Sequence, residues 1–499
     1  MNKEKPKKVL VIGPGLGGLS AAISLRQRGY DVAVYEKNAQ IGGKLNALQE
    51  QGFRFDLGPS ILTLPHLLER LFTRSGRNMS DYVTIRPVRP HWRNFFPDGT
   101  VFDFTPERDR MAAEAERLEP GAAAQIEAFL AYAERQYDLV ERGYFEAGLD
   151  TVWDFMRFYP PSSFFQFDFW RSMHRSVAHY LRNPYLRDAF DFFIKYVGSS
   201  AYDAPGFMNC LPVIQFRHDL WYIDGGMYRM ATGLGKLMDE LGIPIYLNRE
   251  AQCIRKQGQR VTGIELNSGE FIPADVVVSN REVIPTYENL LGEKHSFLRK
   301  LRRFEPSCSG LIIDLGLDRT YEHLAHHNFF FSAHQKRHFH TVFREKRLPD
   351  DPTIYLVAAA RTDPTVAPPG CENLKILPHI PFINDRNPYT VDDYLALKDR
   401  ILDKLESMGL SDLRRHIVFE HVWTPFDIRE QYHSTAGSIY GVVSNRWKNF
   451  AFKAPQQSRR YPNLFFAGGS TNPGGGMPMV VLSGQNVARK IESWDRSCS

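Results

Sequence analysis

An α/β fold built on a Rossmann-like nucleotide-binding unit, with further regions inserted into it, is predicted by three observations. A hydrophobic run, Val9-Leu10-Val11-Ile12, leads straight into Gly13-Pro14-Gly15-Leu16-Gly17-Gly18. A second run, Val32-Ala33-Val34-Tyr35, closes on Glu36. Far along the chain, Leu464-Phe465-Phe466 runs into Gly468 and Gly469 and is followed by a helical pattern over 480–494. The first run reads as a buried parallel strand, with Gly13 making the tight turn. Gly15 lets backbone approach a pyrophosphate, and Gly18 lets the next helix pack closely on the sheet. The helix N-terminus then faces the phosphates. Glu36 lies about twenty residues past the glycines, where a carboxylate accepts hydrogen bonds from a ribose and repels a 2′-phosphate. An ordinary βαβ turn would not need strand, turn, helix, strand and acid in this register, so the segment reads as a dinucleotide site.

Beyond Glu36, Ile41-Gly42-Gly43-Lys44 sets two more glycines and a cation directly after the acid. Residues 52–60 contain a short strand that ends in the Gly58-Pro59 turn, and 64–72 is an apolar helical stretch. Residues 110–145, rich in Ala, Glu, Leu and Arg, have helical spacing, as do Leu397, Ile401 and Leu405. Between them lies the most aromatic stretch, 153–170, too interrupted by Pro160 and Pro161 to form one helix. Two readings of it stand side by side: an interfacial segment with rings at headgroup depth or along a lipid tunnel, and the plain core of a helical domain. After a turn at Asp224-Gly225-Gly226-Met227 a helix is expected, then strands at 243–246, 261–266 and 274–279. Strand signals at 310–315 and 353–358 mix with helices from about 300 to 450.

The chain has 499 residues, 43% hydrophobic and 13% aromatic, enough for two or more domains with sizeable cores and too apolar for disorder. Lys and Arg total 62 against 57 for Asp and Glu. That balance gives no case for nucleic acid, while its mild basic bias suits an anionic membrane surface. Cys210, Cys253, Cys308, Cys371 and Cys498 are scattered with no CxxC, which suggests neither a disulfide framework nor a zinc site. The basic start gives way at once to the first strand, without a signal-peptide core, and no apolar run reaches the length of a bilayer span. The expected location is the cytoplasm, peripheral at the cytoplasmic membrane.

Together with Phe55-Asp56-Leu57-Gly58-Pro59 and Asn472-Pro473-Gly474-Gly475-Gly476-Met477-Pro478, the N-terminal glycines resemble the bacterial carotenoid desaturase and oxidase family, of the flavin amine oxidase and phytoene desaturase type, over nearly the whole chain. Residues 52–63, 193–200, 324–331 and 348–356 are similar to the subfamily that oxidises the terminal methyl of an acyclic C30 carotenoid. The resemblance implies FAD rather than NAD, a long apolar polyene substrate, O2, and an aldehyde product in a staphyloxanthin-like pigment pathway. It implies a discontinuous FAD-binding domain over 1–75, 224–290 and 455–499. A helical, aromatic-rich substrate or membrane-facing region would then cover 76–223, and a mixed α/β substrate-binding region 291–454. The cofactor-binding residues so implied are Gly13, Gly15, Gly18, Glu36, Gly43, Lys44, Gly58, Ser60, Ala251, Gly468, Gly469, Ser470, Gly475, Met477 and Pro478. Lys44 would offer a point charge to phosphate, and main chain near Ala251 would meet the adenine. The helix after Gly475 would aim its positive end at the reduced ring. Where many FAD enzymes end the last strand with Gly-Asp, this chain has Gly468-Gly469-Ser470, so main-chain donors and the Ser470 hydroxyl would take that role.

A linear polyene has no charged handle, so recognition must be apolar and by shape, with the isoalloxazine carrying the redox step. No side chain stands out as catalytic acid or base, since Tyr202, Asp203 and His66 are each as readily structural. Two routes stay open: abstraction of hydride or electrons followed by attack of water on a polyene cation, and oxygen transfer. His326, His327, His334, His338 and His340 invite an iron site, and His334 and His338 have helical ligand spacing, but without nearby carboxylates no metal is expected. Two rivals remain: a carotenoid desaturase of the same fold, and a non-enzymatic prenyl or lipid-binding escort, against which the intact fingerprint at both chain ends argues. An amine oxidase would need an aromatic cage that the sequence does not locate.

Overall fold

The first hydrophobic run forms β1 (Lys8–Ile12), the central strand of a five-stranded parallel sheet in the computed structural model, which describes residues 6–301 and 303–498. Helix α1 (Leu16–Arg26) and β2 (Asp31–Tyr35) follow directly. The sheet is completed by β3 (Ile245–Tyr246), β4 (Val276–Ser279) and β5 (Leu464–Phe466), in the order β5-β4-β1-β2-β3. Val9, Leu10 and Val11 have no exposed surface, as expected of a strand covered on both faces. The last helix, α2 (Met477–Cys498), lies along α1. Their approach leaves no room for a side chain at Gly484, where a Cβ would fall 2.5 Å from the Gly17 carbonyl oxygen. The Ser20 hydroxyl donates to the Val481 carbonyl at 2.6 Å across the same contact. Small residues on α1 are thus what allows it to be buried between sheet and helix. Asn280, just past β4, joins the ends: its backbone N–H donates to the Ile12 carbonyl and its side-chain amide to the Ala467 carbonyl, both at 2.8 Å.

A second, mixed sheet of eight strands carries the rest of the site. Its path runs Ile417–Trp423, Ile312–Leu317, Glu372–Ile380, Ile354–Ala358, His327–Phe330, Trp92–Phe95 and Val101–Phe104, with Ser309–Gly310 beside Glu372–Ile380. Residues 76–223, expected to be helical, therefore also supply strands. The parallel pairing of Trp92–Phe95 with His327–Phe330 welds two stretches distant in sequence into one sheet. All nine residues of Glu372–Ile380 are buried, so this strand forms the middle of the layer. A small antiparallel meander, Ala251–Gln257, Arg260–Leu266 and Phe271–Pro273, stands beside the parallel sheet.

The aromatic stretch breaks, as its prolines require, into the helix Val152–Phe158 and the turn Pro161–Phe165. Thr151 caps the helix: its hydroxyl accepts the Asp154 N–H at 3.2 Å, and the Asp154 carboxylate accepts the Thr151 N–H at 2.9 Å. Phe155, Tyr159 and Phe167 point inward and are buried. Trp153, Met156, Phe165 and Trp170 point outward and are 66, 60, 85 and 66% exposed. The inward side is core, as one of the two readings has it, and the outward side presents exposed rings to the surface. No helix among the described residues is long and apolar enough to cross a membrane.

Candidate active site

A large cavity, about 420 Å³, is lined by residues of both sheets, whereas two other recesses hold about 10 and 20 Å³. At one end lie the turn after β1 and the end of β2. The Gly13 N–H donates to the Tyr35 carbonyl at 2.9 Å, and the loop containing Gly42 and Gly43 folds back on this turn through a 2.8 Å bond from the Gly42 N–H to the Pro14 carbonyl. Glu36 is half-buried here. One carboxylate oxygen accepts the Asn38 N–H at 2.8 Å, and burial pushes the carboxyl above its usual range. Ala251 faces the same end of the cavity.

The middle of the wall is made by Gly43, Lys44, Gly58, Ser60, Gly468, Gly469, Gly475, Met477 and Pro478, the last two opening α2. The Lys44 ammonium donates to the Ser438 carbonyl at 2.9 Å and pairs with Glu282 at 3.2 Å, so protein acceptors hold the cation that the sequence assigns to phosphate. Gly18 and Ser470 stand behind the wall. A Cβ at Gly18 would fall 2.0 Å from the Gly13 carbonyl oxygen, which is the close helix approach the fingerprint requires. The buried Ser470 hydroxyl accepts the Val283 N–H at 3.1 Å and so serves the backbone behind the site.

Sequence reasoning missed Lys375 and Lys195. Lys375, from the buried strand Glu372–Ile380, donates to the Gly58 carbonyl and, at 3.2 Å, to the Ser60 hydroxyl. Burial pulls its pKa down, and the Asp314 and Asp56 carboxylates push it back up. Lys195 lies at the opposite, apolar end of the cavity, with Val140, Phe207, Leu211, Ile214 and Leu377. A lysine inside the run Phe192-Phe193-Ile194-Lys195-Tyr196-Val197 is the signal that would have found it. Tyr202, Asp203 and His66 are not on this wall.

The histidines do not gather. His326, just before the strand His327–Phe330, bonds Thr362 at 2.7 Å, and His327 on that strand bonds the Tyr355 hydroxyl at 2.9 Å, while His338 sits on the helix Gln335–His340. Burial pushes His326 and His338 down to about 3, and His327 lower than its usual range, so all three rings are neutral. Among the described residues, no three His, Cys, Asp or Glu side chains converge as a metal site would require.

The family model for flavin containing amine oxidoreductases matches residues 16–283 and 306–492. The chain belongs to that family. This flavin amine oxidoreductase is 55% identical over 492 residues to a 4,4′-diapolycopene oxygenase of Methylomonas sp, covering 98% of this chain and 99% of that one. It is 48% identical over 489 residues to a 4,4′-diaponeurosporene oxygenase of Staphylococcus aureus, covering 98% of each. Among solved structures, an oxidoreductase from Methanosarcina mazei superposes with a TM-score of 0.66 at 16% identity, covering 97% of this chain and all of that one, which is a likeness of fold.

The cofactor of this flavin amine oxidoreductase is a flavin of the FAD type, and the wall fits it. The Glu36 carboxylate on the cavity wall suits ribose hydroxyls, the N-terminus of α1 suits the pyrophosphate, and the glycines before α2 leave space for a flat ring. When bound, the flavin supplies the redox chemistry. The residues that would hold it are those of this wall, with Glu36 toward the ribose and the glycines before α2 beside the ring.

Proposed function

We propose that the chain is an FAD-dependent carotenoid oxidase that converts the terminal methyl of an acyclic C30 polyene to an aldehyde with O2, working from a membrane surface. The observation that carries this reading is the continuity of the cavity, which passes from the glycine-lined nucleotide end into walls of Val140, Phe207, Leu211, Ile214 and Leu377. A hydrocarbon is the ligand class such walls select. The near full-length identity to relatives named for carotenoid oxygenation supports it. The overall balance is R–CH3 + O2 → R–CHO + H2O: two C–H bonds break, one oxygen atom enters the aldehyde and the other leaves as water. Purified flavin-loaded enzyme given an acyclic C30 polyene under 18O2 is expected to yield the terminal aldehyde, read by mass spectrometry. New double bonds with no oxygen gained would overturn the reading in favour of a desaturase.

The exposed rings support the membrane part. Trp153, Met156, Phe165 and Trp170 lie on one segment, and Arg446 ties the loop bearing Trp447, 69% exposed, to the Trp170 carbonyl at 3.4 Å. Phe207 on the cavity wall packs edge-on against Phe169 and Phe167, with ring centroids at 5.2 and 6.0 Å. The inward side of the exposed segment is therefore the outer shell of the cavity wall at this point. In this reading a polyene dissolved in a bilayer enters the enzyme beside this segment. Burying a large apolar side chain is worth about 1.5–3 kcal/mol. The double variant Trp153→Ser, Phe165→Ser is accordingly expected to bind anionic vesicles at least tenfold more weakly in co-sedimentation, with flavin content unchanged. Equal sedimentation of variant and parent would refute a docking role for this face.

A further inference from the structure

Lys195 enters the cavity from the short helical turn Phe192–Val197 and is 4% exposed. Four rings close around its amine, with Nζ at 4.0 Å from the ring centre of Tyr355, 4.5 Å from Phe329, 4.6 Å from Trp92 and 4.9 Å from Tyr196. Among the described residues no carboxylate pairs with it and no oxygen accepts its N–H groups, and burial alone moves its pKa, well down. Leaving such donors unused in a dry site is costly. The rings favour the ammonium by cation–π attraction while burial favours the amine. In either form the group keeps N–H donors that a pure hydrocarbon does not use. Tyr196, Tyr355 and Tyr440 line this stretch with it, and Tyr440 packs against Gly475 in the loop that opens α2. The cage thus stands on the side of the cavity toward the flavin.

We propose that Lys195 is a positioning residue that binds the oxygen at the oxidised end of the polyene, its amine donating to the hydroxyl of R–CH2OH or the carbonyl of R–CHO. This rests on the reading of a terminal-methyl oxidase, in which an end that begins as a hydrocarbon acquires oxygen while still inside the apolar cavity. A methyl group makes no use of the donor. An oxygenated end does, and the alcohol is held in place while one of its two C–H bonds is oxidised to give the aldehyde. Only a hydrogen bond is formed in this binding, so the redox balance is that of the overall reaction above.

The test is anaerobic titration of the flavin-loaded enzyme with three C30 polyenes of equal length, ending in methyl, primary alcohol and aldehyde, followed by the polyene absorbance. Each variant's affinity for the alcohol and the aldehyde is expressed relative to the methyl compound, which removes differences in solubility. Lys195→Met is expected to lower both ratios at least tenfold, with the methyl compound's affinity changed less than threefold. Lys195→Gln, which keeps an N–H donor, is expected to recover most of the loss. Ratios equal in wild type and Lys195→Met overturn the inference. If Lys195→Met does not fold, the comparison of wild type with Lys195→Gln and Lys195→Leu decides in the same way. A wild-type enzyme that binds none of the three polyenes refutes the proposed function itself, so the two failures are distinct.

Discussion

Gly18→Ala is expected to yield protein with less than a tenth of the wild-type bound flavin. The added Cβ would sit 2.0 Å from the Gly13 carbonyl oxygen, about half the distance of an ordinary contact, and 3.2 Å from the Asn280 side chain. Both sides of the main clash are backbone, so no rotamer relieves it. Either α1 retreats from the sheet or the turn at Gly13 opens. The first pulls the helix N-terminus away from the pyrophosphate, and the second moves the amides that line the nucleotide end. Overpacking of this kind costs about 1–3 kcal/mol when neighbours yield, and more when they cannot. Flavin absorbance of purified protein, with and without added FAD, measures the effect. Full flavin occupancy in the variant would show that the α1–turn contact does not set cofactor retention.

Lys375→Met is expected to destabilise the enzyme by about 3–5 kcal/mol, the cost of removing one partner from buried charges. Burial raises the pKa of both Asp56 and Asp314, and the Lys375 ammonium holds both down. Asp314 and Lys375 are cross-strand neighbours in the second sheet, and the lysine bridges from there to Gly58 and Ser60 on the cavity wall. Methionine fills the volume but leaves the carboxylates without their cation and the Gly58 carbonyl without a donor. Chemical unfolding of flavin-loaded protein at neutral pH gives the number. A loss below about 1 kcal/mol would mean that Arg54 or His421, which also face these carboxylates, carry the compensation.

What could be read from sequence was what depends on near neighbours. The β1 turn, the acid at Glu36 and the final glycines are local patterns, and Thr151 with Asp154 is a local cap. The assignments that strayed concern polar groups whose partners come from afar. Lys44 and Ser470 are placed where the pattern put them, yet Glu282, the Ser438 carbonyl and the Val283 N–H engage them, and none of these is near in sequence. Lys375 is invisible for the same reason, because its strand reads as mixed polar and only the surrounding sheet buries it. The hairpin joining Trp92–Phe95 to Val101–Phe104 did carry a turn signal, Asp98-Gly99, which marks two short strands within a region otherwise helical in spacing. Its pairing with His327–Phe330 is accompanied by aromatic stacking from strand to strand within the sheet, with Phe95 on Phe330 at 4.6 Å and Phe96 on Phe331 at 4.6 Å.

The order in which the parallel sheet is assembled has a consequence for synthesis. As the polypeptide leaves the ribosome, β1, α1 and β2 emerge first, but the outer strand β5 and the covering helix α2 are translated last. Until then the sheet ends at β4, α1 lacks the helix that covers it, and the nascent chain has no closed nest in which to retain its coenzyme. Capture of the coenzyme is thus the closing event of biogenesis, and the stabilisation that a tightly held ligand confers arrives only with it. A chain halted before Leu464 lacks β5, α2 and the last glycines of the cavity wall, so flavin bound to purified protein reports completed molecules.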